Sequence, residues 1–465
     1  MTSVMLENRT FDEIKIGDTA SISKTLTKED LEKFAALTGD LDPIHLDEGY
    51  AKKYNSGKLA AQSIWSGLLA STLLGSELPG PGTVYVSQKL DFIKTLKVGD
   101  TITVTIRANR KEPKTKVVSF DCLCRNQKGE TVMTGSASVI APVEKVSVPL
   151  AEGPEIIVKT YNKYEHFIEK CAGLETPLTA VAHPCDESSL RAVVTAWQED
   201  LIEPVLVGPE ERIKEVAEEN GIDISGLKIV DTPHSHASAA EAVRLVREGG
   251  CTVLMKGSLH TDELMTEVVK HDTGLRTERR LSHAYVMDVP TYHKTLIISD
   301  AAINIYPGLD EKADICRNAI ELAHILGVEM PKVAILSAVE TITSKIRSTL
   351  DAAALCKMAE RGQITGAILD GPLAFDNAIS REAAEIKGIK SEVAGDADIM
   401  IVPDLEAGNM LAKQLTFMAR AEGAGIVLGA RVPIILASRA DSLRTKVASC
   451  AVAVLIAASK KSAQI

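Results

Sequence analysis

Aromatic side chains are scarce in this chain of 465 residues: they make up 4%, with two Trp and seven Phe. Its cores must therefore be built mainly from aliphatic residues. No run of about 20 apolar residues occurs, which excludes a spanning helix. The opening stretch MTSVMLENRTFDEIKIGD lacks the basic flank and apolar segment of a secretory signal. Positive charge is also short: 52 Lys and Arg stand against 63 Asp and Glu, for a net charge of −11. That balance argues against a broad nucleic-acid surface, so anionic ligands must be met by local Arg and Lys groups. The eight cysteines include no C-x-x-C pair, and several lie in apolar runs. Free, buried thiols in a reducing compartment fit them better than zinc or disulfides. The expectation is a soluble, cytoplasmic protein with no membrane or nucleic-acid partner and no metal.

What is present divides in two, as the length requires, because single domains rarely exceed about 250 residues. Residues 10–141 read as helix, turn, helix and then strands without intervening helices. Thr27 is an N-cap answered by Asp30, and Leu31, Phe34, Ala35 and Leu37 form an apolar stripe that stops at Gly39. A second helix at about 60–74 is apolar on most sides and is expected to be buried. TVYVSQKLDFI, DTITVTIRANRK, KVVSFDCLCRNQ and ETVMTGSASVIA then carry β-branched residues with partial alternation. Cys122 and Cys124 fall on one face of such a strand. An antiparallel sheet wrapped around one buried helix, an α+β hot-dog layout, is the packing solution.

Residues 142–158 match neither periodicity and are expected to be a linker. From 159 onward short apolar runs alternate with helical segments such as 237–248 and 312–326. The runs are TAVAHP, PVLVGP, CTVLMKG, TLIISDAAIN, KVAILSA, TGAILDGP, ADIMIVPD and VPIILASR. This is the pattern of an α/β domain with a mainly parallel sheet. In such sheets ligands gather beyond the carboxyl ends of the strands. The polar residues there are Lys256, Gly257, Ser258, His260 and Thr261, then Asp300 and Asn304, Asp370, and Ser438 with Arg439. No G-x-x-x-x-G-K-[ST] or G-x-G-x-x-G follows these strands, which removes the usual nucleotide loops. Backbone N–H groups at 256–258 and the forked guanidinium of Arg439 suit a phosphate.

VLMKGSLHTDELM, GLRTERRLSHAYVMD, TLIISDAAINIYP, AILDGPLAFDNAIS, IMIVPDLEAGNML and VPIILASRADSLRTKVAS are colinear over about 300 residues. Through them this half resembles the phosphate acetyl/butyryltransferase family. The resemblance implies two α/β subdomains, about 159–290 plus 425–465 and about 291–424, with the active site in the cleft between them, and a dimer or larger homo-oligomer. It implies acyl transfer between coenzyme A and inorganic phosphate, both as substrates, with no tightly bound cofactor. Ser438 and Arg439 would support phosphate and transition state, with His260 and Thr261 on the phosphate side. Acetyl-specific members place a carboxylate base beyond the Ser-Arg pair. Asp441 lies there at a different spacing, with Asp300 and Asp370 as rivals. Arg276, with Arg279 and Arg280, would meet the anionic parts of coenzyme A.

In the first half, FAALTGDLDPIHLDEGYA brings Asp40 and His45 close around the Asp42-Pro43 turn. A carboxylate and an imidazole in one cleft suit general-base activation of water. The segment resembles the G-D-x-N-P-[IL]-H motif of MaoC-like (R)-specific enoyl-CoA hydratases, and LPGPGTVYVSQKLDFIKTLKVGDTITV extends the likeness. The resemblance implies that Asp40 and His45 hold the water added to an enoyl thioester. Two departures stand out: Asp42 replaces the motif's Asn, and Ala61-Gln62-Ser63-Ile64 replaces A-H-G-M. Two readings stay open. One is a bifunctional enzyme. In the other, only the transferase is active and the hot-dog domain binds acyl-CoA or drives oligomerisation, or the transferase-like half is an acyl-CoA sensor.

Overall fold

A computed structural model describes residues 5–55, 57–150 and 162–462. The chain forms two compact units, Met1–Lys159 and Thr160–Ile465. The first begins with β1 (Met5–Glu7) and β2 (Thr19–Thr25), then helices α1 (Lys28–Thr38), α2 (Pro43–Leu46), α3 (Glu48–Tyr54) and α4 (Ile64–Ser76). Strands β3 (Val84–Phe92), β4 (Thr101–Glu112), β5 (Val117–Asn126), β6 (Thr131–Ile140) and β7 (Ser147–Pro149) complete it. Thr27 and Asp30 form a reciprocal capping box, and α1 stops at Gly39 with φ +74°, a conformation that favours glycine.

The sheet is antiparallel in the order β2-β4-β5-β6-β3. Ile102, Val104, Ile106 and Ala108 alternate inward on β4 and meet Phe120, Cys122 and Cys124 of β5. Helix α4 packs on this face through Trp65, Ala70, Leu73 and Leu74. It is narrower than expected: it starts at Ile64, exposes Ile64 and Leu68, and leaves Ala60 bridged to Lys97 in extended chain. Helices α2 and α3 were not anticipated, since their apolar stripes are too short to register. The expected linker is described up to residue 150, and there β7 pairs antiparallel with β1; the rest lies outside the described residues.

The second unit opens with α5 (Asn162–Cys171), β8 (Leu178–Ala182), α6 (Glu187–Gln198), β9 (Glu203–Gly208), α7 (Glu210–Glu219), β10 (Lys228–Asp231), α8 (Ser235–Arg247), β11 (Val253–Lys256) and α9 (Thr261–Val268). It continues through β12 (Ser282–Asp288), β13 (Thr295–Ser299), α10 (Leu309–Ile325), β14 (Lys332–Leu336), α11 (Arg347–Glu360), β15 (Ile368–Leu373), α12 (Phe375–Ile379) and α13 (Arg381–Ile386). It ends with β16 (Ile399–Ile401), α14 (Leu405–Phe417), β17 (Glu422–Leu428), β18 (Ile434–Ile435) and α15 (Leu443–Ser462). All eight apolar runs become strands. They join β10, β12 and β17 in one sheet of 11 strands, ordered β10-β9-β8-β11-β18-β17-β12-β13-β16-β14-β15.

Pairing is parallel except where β17 meets β18 and β12, and where β12 meets β13. These reversals have a positional consequence. Strands β8, β11 and β18 send their carboxyl ends to one edge of the sheet, while β13, β14, β15 and β16 send theirs to the opposite edge. Glycines let β17 pack tightly between its neighbours: a Cβ at Gly425 would lie 2.3 Å from the Leu436 carbonyl oxygen, and one at Gly423 would lie 2.7 Å from the Met287 sulfur. All eight cysteines are free thiols, six of them buried, and burial pushes Cys122 and Cys124 up to about 11. No helix among the described residues is long and apolar enough to cross a membrane.

Candidate active sites

In the second unit the ends of β8, β11 and β18 converge. Strand β11 ends at Lys256, and the chain turns at once through Gly257, whose N–H donates to Ala182 O at 2.9 Å. A Cβ on Gly257 would stand 2.5 Å from that same oxygen, so only glycine permits the approach. Ser258 donates its N–H (2.9 Å) and its hydroxyl (2.8 Å) to His183 O, and its Oγ accepts from Cys185 N at 3.3 Å. His183 holds a left-handed φ of +57°, sparsely populated for a non-glycine residue. The loop after β18 closes the group: Arg439 Nη2 donates to Ser258 O, and Ser438 N donates to Asp441 Oδ2 at 2.6 Å.

Lys256 is 8% exposed and Lys446, in the first turn of α15, is 4% exposed. Burial pushes both ammonium groups down from their ordinary value, and Arg439 adds to the effect on Lys256. Burial also raises Asp441, against the Ser438 N–H and the nearby Lys446 and Lys256. Lys446 donates to Ser188 Oγ at the start of α6 and to Arg439 O at 3.3 Å. Asp186 caps α6 by accepting from Ser189 N at 2.7 Å. Sequence reasoning missed His183, Asp186, Ser188 and Lys446. Applying the strand-end rule to TAVAHP as well would have pointed to the first three; Lys446 lies within a helix and has no such signal.

Not every expected residue joins this group. Asp300, at the opposite sheet edge, is a strand-end cap: it accepts from the N–H groups of Ala302 and Ile303, both at 2.9 Å, and from Asn304 Nδ2 at 2.5 Å. Those bonds hold the carboxylate toward its own turn, away from the Ser438 group. Asp370 lies on β15, the last strand, six places from β18 in sheet order, and accepts from its neighbour Gly371 N at 2.8 Å. It too is removed from the Ser438 group. His260 is an exposed N-cap of α9, its N–H held by Glu263 at 2.8 Å.

Thr261 stands where α9 begins and helps line a cleft of about 750 Å³ with Met265, Arg276, Arg279, Arg280 and Asn304. Arg279 is paired with Glu321 at 2.5 Å and Arg280 with Glu311 at 3.0 Å. Arg280 Nε also donates to Asn304 Oδ1 at 2.8 Å. Arg276 makes no ion pair among the described residues, which leaves its guanidinium available.

In the first unit His45 and Asp40 do come together, with His45 Nε2 lying 3.7 Å from Asp40 Oδ2. The other ring nitrogen, Nδ1, is 2.8 Å from Ala60 O. A carbonyl oxygen can only accept, so Nδ1 is the donor of that bond, and Nε2 is the nitrogen turned toward Asp40. Asp42 caps α2 by accepting from Ile44 N at 3.0 Å, a task that Asn and Asp perform equally well. The departure from the motif is thus structurally neutral. Gln62 is different: it is 4% exposed, and neither Nε2 nor Oε1 has a hydrogen-bond partner. It directly precedes Ser63, the N-cap of α4, which makes no side-chain cap bond. Among the described residues no group of three or more His, Cys, Asp or Glu is arranged to hold a metal ion.

Cations and a glycine turn gathered at parallel strand ends suit the second unit to an anionic ligand. Residues 236–454 match the phosphate acetyl/butaryl transferase family, and residues 13–123 match the MaoC like domain. A phosphate acetyltransferase of Rhizobium meliloti is 62% identical over 304 residues, covering 65% of this chain and 96% of that protein. A phosphate butyryltransferase of Clostridium acetobutylicum is 41% identical over 304 residues, covering 65% of this chain and all of its own length. A branched-chain phosphotransacylase from Enterococcus faecalis V583 superimposes with a TM-score of 0.53 at 32% identity, covering 60% of this chain and 98% of that one. The chain belongs to the phosphate acetyl/butyryltransferase family and carries a MaoC-like hot-dog domain in front. Its second unit is a phosphate acyltransferase.

Proposed function

We propose that the second unit exchanges a short acyl group, acetyl or butyryl, between coenzyme A and inorganic phosphate at the Ser438–Arg439 strand end. The thiol of coenzyme A gives its proton to a base, and the thiolate attacks the acyl carbon of the acyl phosphate. The bond from that carbon to the phosphate oxygen then breaks, and phosphate departs with the electron pair. Arg439 and Lys256 stabilise the charge growing on the departing phosphate. Asp441 accepts the thiol proton, partial burial making its carboxylate more basic than usual. In the reverse direction phosphate attacks the thioester and coenzyme A leaves. Coenzyme A lies along the Arg276–Asn304 cleft, and the free guanidinium of Arg276 meets a phosphate of its nucleotide end.

The observation that carries this reading is the joint presence of Arg439 and the buried Lys256 at the ends of neighbouring strands, with Arg439 bonded to the Ser258 carbonyl of the turn that follows Lys256. The test is phosphate-dependent release of coenzyme A from a series of acyl-CoA substrates. Release with acetyl- or butyryl-CoA but not with longer chains is expected. Release that does not depend on phosphate sinks the reading.

The first unit hydrates an enoyl-CoA to a 3-hydroxyacyl-CoA of (R) configuration. Its support is the Asp40–His45 pair with Nε2 free to take a proton from water. Loss of enoyl absorbance with crotonyl-CoA, abolished in His45→Ala, tests it. The second reading, a binding or oligomerisation module, is favoured by β3, an edge strand of nine residues exposed along nearly its whole length. Such an edge invites pairing with a second copy. A homo-oligomer is compatible with either reading, and the crotonyl-CoA assay separates them.

A further inference from the structure

The transferase site contains two buried ammonium groups, and neither has a carboxylate within ion-pair distance among the described residues. An ammonium group has three donors. Lys256 uses one, to Gly257 O at 3.2 Å. Lys446 uses two, on Ser188 Oγ and Arg439 O. The nearby carboxylates each accept a main-chain N–H, Asp186 from Ser189 and Asp441 from Ser438, and act on the lysines only from beyond ion-pair distance. Two buried ammonium groups, Lys256 and Lys446, and the exposed guanidinium of Arg439 therefore face two carboxylates, an excess of one positive charge. Uncompensated buried charge is strongly unfavourable unless an opposite charge is brought to it. Helices α6 and α15 both begin here, with Ser188 and Lys446 in their first turns, and helix starts favour anions.

We propose that Lys446, steadied by Ser188, is a phosphate-binding residue of the transferase and forms the wall opposite Lys256 and Arg439. This rests on the transferase reading of the Ser438–Arg439 site and adds two residues to it from helices that the strand-end pattern does not reach. Lys446 spends one donor on Ser188 and one on the Arg439 carbonyl, which fixes its direction, and gives the third to a phosphoryl oxygen. Holding Arg439 through its carbonyl also couples the two cations, so both address the same tetrahedral group. Burial lowers the basicity of both lysines, and at Lys256 repulsion from Arg439 and Lys446 adds to it.

The experiment uses the full chain and the variants Lys446→Met, Lys446→Arg and Ser188→Ala. Methionine keeps the length of the stem and removes the charge. In Lys446→Met the KM for inorganic phosphate is expected to rise about 10- to 100-fold, with the KM for acyl-CoA within about twofold, and Arg recovers part of the loss. Thermal stabilisation by inorganic phosphate shrinks in parallel. Ser188→Ala, which leaves the lysine in place, raises the phosphate KM about threefold. An unchanged phosphate KM in a folded Lys446→Met, or equal loss toward both substrates, overturns the proposal. If Lys446→Met does not fold, an unchanged phosphate KM in Ser188→Ala does the same. Should the wild type release no coenzyme A with phosphate, the transferase reading fails, and the phosphate-induced thermal shift of wild type against Lys446→Arg and Lys446→Met still decides the role of Lys446.

Discussion

Arg439 donates from its guanidinium to the main-chain carbonyl of Ser258, and this bond joins loops 181 residues apart in sequence. It orients the planar fork across the turn that follows β11 and holds the Ser438 loop against Lys256. Arg439→Ala removes both the charge and the tie. A loss of about 10²- to 10³-fold in kcat/KM for phosphate-dependent release of coenzyme A is expected. Arg439→Lys restores a point charge without the fork and should recover only a small part. Full recovery by Lys would mean that geometry at this position is unimportant.

Asp441 provides a prediction in which activity and stability part company. Burial raises its carboxyl above the ordinary aspartate value, so its favourable contribution to folding is complete below the unfolded value of about 3.9. That contribution is lost as pH rises through the higher folded value. Asp441→Asn removes the charge but keeps an oxygen for the Ser438 N–H, so the variant should be at least as stable as wild type at pH 7. As the loss of a general base, it should lower kcat about 10²-fold or more. The acid limb of the wild-type kcat profile, displaced upward from that of an ordinary carboxylate, should disappear with it. An Asn variant with wild-type kcat would assign the thiol proton elsewhere.

The strand ends were legible because fully buried parallel strands are written as uninterrupted apolar runs. Each of the eight runs did become a strand. Direction was not legible, since nothing local states that EGAGIVL, β17, lies antiparallel between β12 and β18. The antiparallel pairing of β13 with β12 sends Asp300 to the edge opposite Ser438, where its carboxylate caps the 302–304 turn. Lys446 was invisible for another reason: a lysine in a helix beside RADSLRT has the sequence appearance of a solvated face, and its partner Ser188 lies 258 positions away.

Gln62 allows a test in the hot-dog unit. Its buried amide has no partner for nitrogen or oxygen, and each such group costs about 1–3 kcal/mol. Gln62→Leu removes both polar atoms at similar volume and should raise the melting temperature of this unit by a few degrees. If the amide is kept to meet the thioester or its attacking water, hydration of crotonyl-CoA should fall about tenfold or more in the same variant. A more stable protein with unchanged hydration would make Gln62 a packing residue only.

Asp396 makes the pH dependence of the second unit testable. Burial alone would raise its carboxyl, but hydrogen bonds from Lys332, Lys294 and His293 overcome that and hold it well below the usual carboxylate range. The contacts are 2.6 Å to Lys332, 2.9 Å to Lys294 and 2.8 Å to His293. A depressed carboxyl contributes stability that is present above the unfolded value, about 3.9, and lost as pH falls through the folded one. Asp396→Asn should therefore melt roughly 2–4 °C below wild type at pH 7. The gap should narrow steadily as the pH is lowered below about 4. The partly exposed setting, with the side chain at 20% of its full exposure, sets a modest size, because solvent screens the pairs. A gap that stays constant from pH 7 to pH 3 would trace the loss to packing at the 393–398 turn and not to the ion pairs.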